Sequence, residues 1–341
     1  MRELRRILIV RLGALGDIIH AIPAAAALRS RYPDARIHWM VDPRYVELLG
    51  PVEAIDEPIA IDPRALLDSA QRRAFIGRML ALREARYDVV IDFQGLLKSA
   101  VLARAVRGDR TIGFPGAHLR EPAARFFYTD TPDPGDAVHV IRKNLALLRS
   151  LGVTDGQIRF PLRIPRTWAV ESVASRYGAG GYALINPGAA WPNKRWPAER
   201  FGALAEAIRR DLGVPSLVLW GPGEEALAAE VIAASSGAAV LSPPTAIVDV
   251  PGLARDARVF VSGDTGPLHM AGAVGTPLVS LFGPTYPERN GPWSEADITL
   301  SRVQACECHY ERQCRRSARC IDDISVDEVA DAVRRRVGTR V

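Results

Sequence analysis

One loop near the start of the chain combines two glycines with a carboxylate, between a predicted strand and a predicted helix. In "RLGALGDIIH" the glycines are Gly13 and Gly16 and the acid is Asp17. Glycines let a backbone turn tightly and leave room beside it, and a fixed carboxylate can act as a general base toward a hydroxyl group. The alternative role for Asp17 is to cap the helix predicted over Ile18–Tyr32, and this stretch alone favours the cap.

Two further loops, in the second half of the chain, pair glycines with charged residues. "NPGAAWPNKRWP" places Lys194 after a predicted strand, where its ammonium group suits a phosphate; a surface lysine is the alternative. "SGDTGPLH" places Asp264, Thr265, Gly266 and His269 where a strand leads into a helix. The backbone N–H groups at such a helix start attract anions. A capping Asp264 and a buried, hydrogen-bonded His269 are the alternatives.

A third loop of the second half, "WGPGEE", carries Glu224 and Glu225 after a predicted strand. A carboxylate in this place can hold ribose hydroxyls, although a first-turn Glu that complements the helix dipole is the commoner situation. A lysine, a helix N-terminus and a glutamate at successive strand ends together describe a site for a nucleoside diphosphate.

Short β-rich runs alternate with helical patterns along the whole chain. The predicted strands are RILIV, ARIHWMV, DVVIDF and RTIGF in the first half and YALIN, SLVLW, AAVLS, RVFVS and PLVSLFG in the second. Apolar strands separated by helices predict parallel sheets covered on both faces. A polar, Pro-rich stretch divides the two series. We therefore expect an α/β protein of two doubly wound Rossmann-like domains, 1–165 and 166–341.

The composition is that of an ordinary globular chain. It has 341 residues, 48% of them hydrophobic and 24% charged, and no apolar stretch reaches the ~20 residues of a membrane span. The apolar part of "MRELRRILIV" is too short for a signal peptide, so we expect a cytoplasmic protein. Residues 1–165 hold 25 Lys and Arg against 19 Asp and Glu. This basic excess suits an acidic partner, and since no nucleic-acid-binding signature occurs, we expect no nucleic acid.

In their order, these motifs resemble glycosyltransferase family 9, the bacterial heptosyltransferases. The matching pieces are RLGALGD, VVIDFQGLLKSA, NPGAAWPNKRWP, WGPGEE and GDTGPLHMAGAVGTPLVSLFGPT. The resemblance implies a fold of GT-B type, whose two domains face a central cleft, and it allows the last helix to pack back on the first domain. It also implies transfer of heptose from ADP-L-glycero-D-manno-heptose to a Kdo-containing lipopolysaccharide inner-core acceptor.

The resemblance assigns roles by motif. Asp17 becomes the general base of an inverting, metal-independent transfer without a cofactor. Lys98 and Arg120 become the acceptor contacts. The donor contacts are Gly13, Gly16, Lys194, Asp264, Thr265, Gly266, His269 and Glu224, with Glu225 second to Glu224. An anionic lipid acceptor implies peripheral contact with the inner face of the inner membrane, which we expect to be mediated by charge and weakened by salt.

The acceptor subtype and three rival functions remain open from the sequence. "LREPAARFFY" resembles heptosyltransferase I, which adds the first heptose to Kdo, whereas "CECHYERQCRRSARC" resembles heptosyltransferase II, which adds the second. We favour type I because its arginine segment would touch the acceptor directly. A nucleotide-sugar epimerase and a non-catalytic nucleotide-sugar-binding module fit the same two-domain plan. A nicotinamide dehydrogenase is disfavoured because G-x-G-x-x-G is absent.

The only four cysteines of the chain lie together near its end. Cys306, Cys308, Cys314 and Cys320 follow the spacing C-x-C-x5-C-x5-C, which differs from the C-x2-4-C pairs usual at zinc sites. We therefore favour reduced thiols in a cytoplasmic protein, with a metal site as the alternative.

Overall fold

A computed structural model of the protein describes residues 3–338. The chain divides between Arg163 and Ile164 into two compact units. Each unit contains one sheet, and every strand pair described in it is parallel. This architecture confirms the prediction of two doubly wound α/β domains. The prediction that the two domains face a central cleft stays a prediction.

The sheet of the first unit has five strands in the order β3-β2-β1-β4-β5. The strands are β1 (Arg6–Val10), β2 (Arg36–Val41), β3 (Glu57–Ala60), β4 (Val89–Asp92) and β5 (Arg110–Ile112). The helices are α1 (Leu15–Ile19), α2 (Ile22–Arg31), α3 (Val46–Leu49), α4 (Ser69–Glu84), α5 (Leu97–Val106) and α6 (Val140–Leu147). Val10 is in register with both Met40 and Asp92, so the loops after β1, β2 and β4 leave the same edge of the sheet.

The sheet of the second unit has six strands in the order β11-β10-β9-β6-β7-β8. They are β6 (Ala183–Asn186), β7 (Ser216–Val218), β8 (Ala239–Leu241), β9 (Phe260–Gly263), β10 (Leu278–Phe282) and β11 (Ile298–Ser301). Its helices are α7 (Trp168–Tyr177), α8 (Ala198–Leu212), α9 (Glu225–Ala233), α10 (Val250–Arg255), α11 (Gly266–Ala273), α12 (Pro287–Asn290) and α13 (Val326–Gly338). Short 3-10 turns complete several loops.

The inner strands of both sheets are largely buried, and in β1 only Arg6 is exposed. Every residue of β4, β6, β9 and β10 is buried, which is why their sequences read as continuous apolar runs. None of the helices described between residues 3 and 338 is long and apolar enough to cross a bilayer.

The final helix packs within the second unit. Ser325 and Glu328 form a capping box, in which the Ser325 N–H donates to the Glu328 carboxylate at 2.8 Å and the Glu328 N–H to the Ser325 hydroxyl at 3.2 Å. The apolar side of α13, which includes Val329 and Val333, joins the core cluster that also holds residues of α8. The prediction that this helix also packs on the first domain stays a prediction.

The helix predicted over Ile18–Tyr32 is two helices. α1 begins earlier, at Leu15, and ends at Ile19, and α2 begins at Ile22 with Pro23 in its first turn. Proline fits the first turn of a helix but interrupts the interior, so the break falls immediately before it.

Candidate functional site

Asp17 lies in the first turn of α1, after the glycine loop that follows β1. Its carboxylate accepts a hydrogen bond from the Arg11 guanidinium at 2.5 Å and approaches the Ala14 N–H at 3.4 Å. Because the helix begins at Leu15, Asp17 is its third residue and not the N-cap of a helix starting at Ile18, but its contact with the N–H of Ala14, the N-cap residue, still gives it a capping role. The Asp17 side chain is 30% exposed, so solvent and a substrate hydroxyl can reach it.

Arg11 is a site residue that the sequence analysis missed. It is buried, and besides Asp17 it donates to the backbone oxygen of Phe93 at 2.6 Å. A guanidinium held at two points fixes the orientation of the carboxylate that it binds. The sequence does contain an indication of this residue, because Arg11 directly follows an apolar strand. Gly13 lies in this loop, whereas Gly16, predicted for the same loop, lies in the first turn of α1; the predicted donor contact of both stays a prediction.

The segments that carry Lys98 and Arg120 are tied together. Lys98 is exposed in the first turn of α5, and Arg120 is exposed in the loop before a 3-10 turn over Pro122–Phe127. The carboxylate of Glu121 accepts a hydrogen bond from the Leu97 N–H at 2.7 Å. This bond joins the start of α5 to the residue beside Arg120, so the two exposed basic residues lie on connected segments.

A fully buried carboxylate beneath these segments was also missed. Asp92, the last residue of β4, accepts hydrogen bonds from the Ser99 and Tyr128 hydroxyls, each at 2.8 Å, and from the Gln94 and Gly95 N–H groups. Burial raises the pKa of Asp92, although these hydrogen bonds oppose the shift. Asp92 therefore anchors the loop that leads to Lys98 and the chain that follows Arg120.

In the second unit, Asp264 lies at the centre of a hydrogen-bond network. Its carboxylate accepts from the Lys194 ammonium at 2.5 Å, the Thr285 hydroxyl at 2.7 Å and the Asn290 amide at 2.8 Å, and His269 Nε2 lies 3.5 Å away. Burial alone would raise the pKa of Asp264, but the hydrogen bond with His269 and the charge of Lys194 outweigh it and hold that pKa well below its usual range. The structure thus brings together three of the predicted donor residues.

This arrangement favours a positioning role for Asp264. A carboxylate repels a diphosphate, whereas its partners Lys194 and His269 are the groups that suit one. Lys194 is also held over the Trp191 ring at 4.5 Å from the ring centroid. Its turn lies directly on the end of β9, since a Cβ at Gly263 would come within 2.8 Å of the Lys194 carbonyl oxygen. The lysine is therefore fixed beside the start of α11.

The first turn of α11 offers backbone N–H groups to a ligand. Thr265 is the N-cap residue, yet its side chain makes no capping hydrogen bond. Its hydroxyl instead contacts the Ser262 hydroxyl at 3.0 Å and the Asn186 amide at 3.1 Å. Because the cap is turned away, the N–H groups of Gly266 and Leu268 are left for an anion, while Pro267 between them has no N–H to offer.

Glu224 and Glu225 have different surroundings. The Glu224 carboxylate accepts the Gly221 N–H at 3.1 Å and lies against the loop after β6. A Cβ at Gly188 would come within 2.3–2.5 Å of that carboxylate, so a larger residue there would displace the Glu224 side chain. Glu225 is exposed in the first turn of α9. The geometry therefore favours Glu224 over Glu225 as the residue that lines the loop.

Three polar residues of the second unit were missed as site residues. Asn186, at the end of β6, is buried and bonded to Ser262 and Thr265, and Thr285 and Asn290 follow β10 and bind Asp264. All three follow the carboxyl ends of strands, where ligands bind in such sheets. The positions of these residues at or after the ends of predicted strands could therefore have indicated them from the sequence.

The four cysteines converge although the chain between them contains little regular structure. All are free thiols, with sulfur–sulfur distances of 3.6 Å between Cys306 and Cys308 and 3.7 Å between Cys308 and Cys314. Burial, and then contact with Cys306, raises the pKa of Cys320 to about 12. Across residues 3–338, no three His, Cys, Asp or Glu side chains are arranged to hold a metal ion. Cys306, Cys308 and Cys320 are buried, and the partly buried Cys314 packs against them.

The fold and the sites define a class of protein. Two doubly wound parallel sheets are the plan of the GT-B fold, and solved structures share this fold. A family 9 glycosyltransferase from Veillonella parvula has a TM-score of 0.83 at 23% identity, covering 100% of this chain and 99% of its own. Escherichia coli heptosyltransferase WaaC with ADP has a TM-score of 0.77 at 23% identity, covering 97% and 99%.

The sequence comparison identifies the family. Residues 78–319 match glycosyltransferase family 9 (heptosyltransferase). Lipopolysaccharide heptosyltransferase 1 of Pseudomonas aeruginosa is 29% identical over 321 residues, which cover 91% of this chain and 87% of the relative. The chain belongs to glycosyltransferase family 9, the lipopolysaccharide heptosyltransferases.

Proposed function

We propose that the protein transfers heptose from ADP-L-glycero-D-manno-heptose to the Kdo of a lipopolysaccharide inner-core acceptor, as a heptosyltransferase I. The observation that carries the donor assignment is the joint placement of Lys194, the uncapped start of α11 and Glu224 after three strands of one sheet. The similarity to heptosyltransferase 1 of Pseudomonas aeruginosa supports the acceptor assignment.

The second unit would hold the donor. Negative charge grows on the diphosphate as it leaves the anomeric carbon, and preorganised donors of hydrogen bonds stabilise that charge. Lys194 and the first-turn N–H groups of α11 supply them, while Asp264 keeps the lysine and His269 in place. Glu224 is placed to accept hydrogen bonds from ribose hydroxyls.

The first unit would prepare the acceptor. Asp17 removes the proton of the attacking Kdo hydroxyl as its oxygen bonds to the anomeric carbon, and the bond from that carbon to the diphosphate breaks. One displacement inverts the anomeric configuration and releases ADP. Lys98 and Arg120 bind the anionic groups of the acceptor, since basic side chains form strong hydrogen bonds with carboxylates and phosphates. The reaction takes place at the cytoplasmic face of the inner membrane.

The test of this assignment offers the donor with two acceptors side by side, one carrying only Kdo and one carrying heptosyl-Kdo. We expect mass spectrometry to show one added heptose on the Kdo-only acceptor. Addition only to heptosyl-Kdo would make the protein a heptosyltransferase II, the alternative that the segment "CECHYERQCRRSARC" favours. Addition to neither would contradict the donor assignment.

Replacing Glu224 and Glu225 separately tests the ribose contact with a matched control. We expect Glu224→Gln to weaken ADP binding about tenfold, because a hydrogen bond to a charged group contributes about 1.5–3 kcal/mol and the amide retains part of it. Glu225→Gln should stay within about twofold of the wild type, because that side chain is exposed. Isothermal titration with ADP measures both, and equal effects of the two variants would contradict the assignment.

A further inference from the structure

The basic excess of the first unit is concentrated in one exposed segment. Residues 63–86 contain six arginines and two acids, a net charge of +4 within a chain of net +5. All six arginines are exposed. One of the acids, Asp68, is used locally, because its carboxylate accepts the Ala70 N–H at 2.9 Å and caps α4. Arg64 is paired with Asp62, just before the segment, at 2.9 Å, so the positive charge of this surface is carried by the five arginines of residues 72–86.

The same segment exposes large apolar side chains. Leu66 is 42% exposed, Leu67 86%, Ile76 45% and Leu80 51%, so it contributes four of the eleven exposed large hydrophobic residues described. We call these four residues, with the arginines of 63–86, the α4 surface.

The geometry of α4 places the apolar and basic residues together. Phe75 and Leu82 mark the buried face of the helix, while Ile76 and Leu80 lie one turn apart on a different face. Arg73, at seven residues before Leu80, shares that face. The Arg72 guanidinium donates to the Leu66 carbonyl at 2.9 Å, which ties the exposed leucine turn to the start of the helix.

This combination is more suitable for a lipid surface than for a protein partner. The cores of protein interfaces are depleted in charge, and a second copy of the α4 surface would bring like charges together. A helix with arginines beside exposed leucine and isoleucine is typical of binding in the plane of an anionic membrane. We infer that the α4 surface docks the protein on anionic phospholipid, with Leu67 and Leu80 entering the interface.

The inference adds to the proposed function without depending on turnover. The proposed acceptor is itself a lipid, so docking through the α4 surface would bring the protein to the membrane that presents it. An apolar contribution also differs from the expectation that charge alone mediates the contact. Part of the membrane binding should therefore persist at high salt, because salt does not screen the burial of apolar side chains.

Vesicle flotation tests the docking of the α4 surface on lipid. One set of phosphatidylcholine vesicles contains no phosphatidylglycerol. The other set contains about one third, a fraction that gives a negative surface like that of the cytoplasmic leaflet. The double variant Arg73→Gln/Arg83→Gln should lower partitioning to the anionic vesicles about 30-fold. Each arginine near the surface contributes about 1 kcal/mol, and every 1.4 kcal/mol changes the binding constant about tenfold. Leu67→Ser/Leu80→Ser should remove the binding that persists at about 1 M salt, where the Debye length is about 3 Å. Circular dichroism verifies that the variants fold.

Controls on the second unit are Arg209→Gln and Leu241→Ser, both at exposed positions, and they should partition like the wild type. Equal binding to neutral and anionic vesicles, or unchanged binding of the α4 variants, would overturn the inference. So would a concentration-dependent dimer that these variants abolish, since a second copy would then cover the surface. Because the vesicles hold no acceptor, failure here leaves the transferase proposal intact, and failure of the transfer assay leaves this inference intact.

Discussion

Asp17→Ala is expected to lower the turnover number at least ~100-fold, the lower end of what a general base contributes. The affinity for the ADP-sugar should survive, because Lys194 and the start of α11 lie in the other unit. Asp17→Asn should lose a similar factor, since the amide keeps the shape beside Arg11 but cannot accept a proton. Initial rates of ADP release and titration with ADP measure the two quantities.

A control at another carboxylate of the first unit separates chemistry from charge. Asp133 is 78% exposed, and Asp133→Asn should keep wild-type turnover. If Asp17→Ala also retained near-normal turnover, Asp17 would serve only its ion pair with Arg11, and a different group would have to take the acceptor proton.

Breaking the ion pair of Lys194 with Asp264 is expected to destabilise the second unit strongly. Removing one partner of a buried pair leaves an uncompensated charge and costs about 3–5 kcal/mol. The Asp264 side chain is 5% exposed and that of Lys194 14%, so Lys194→Ala and Asp264→Ala should each lower the free energy of unfolding by about this amount. The double variant should lose much less than the sum. Urea unfolding of the three variants measures this coupling.

The pH dependence of the same pair has a definite sign. The pKa of Asp264 is lower in the folded protein than in the unfolded chain, so its contribution is present at neutral pH and is lost as pH falls below the ordinary carboxylate pKa of about 3.9. The difference in the free energy of unfolding between the wild type and Asp264→Asn should therefore shrink in acid.

Glu311→Ala is the control for the loss of an ion pair. It breaks an exposed pair with Arg315 and should lower the free energy of unfolding by under about 1 kcal/mol. A similar loss from Glu311→Ala and from Asp264→Ala would contradict the stabilising role of the buried network.

The predicted strands show which part of the fold local sequence determines. All nine predicted runs overlap strands of the structure, because each is apolar enough to be recognised without its neighbours. The two missed strands, β3 and β11, lie at sheet edges, and most of their residues are only partly buried. Pro58 lies within β3, and proline argues against a strand except at an edge. The other two edge strands, β5 and β8, each contain a buried residue and were predicted, whereas β3 and β11 contain none. Burial depends on tertiary packing, so composition alone did not reveal these two strands.

The candidate site was predictable where function and loop chemistry coincide. Lys194, Asp264 and His269 were recognised by type and position, and the structure places them in one network. Their division of roles was not predictable, since only the contacts show that Asp264 supports the lysine. Arg11 and Asp92 were missed because their roles depend on contacts with distant parts of the chain. Arg11 donates to the backbone of Phe93, more than 80 residues away, and Asp92 accepts from the hydroxyl of Tyr128, which belongs to another segment.

The most direct test incubates the purified chain with ADP-heptose, with and without the Kdo acceptor, and measures ADP and product masses together. The proposed reaction predicts ADP release only when acceptor is present, in a one-to-one ratio with acceptor that has gained one heptose. Conversion of the sugar nucleotide without acceptor would indicate an epimerase, and binding of the sugar nucleotide with no turnover in either arm would indicate a non-catalytic module. Either result would contradict the assignment of Asp17 as the base of a glycosyl transfer.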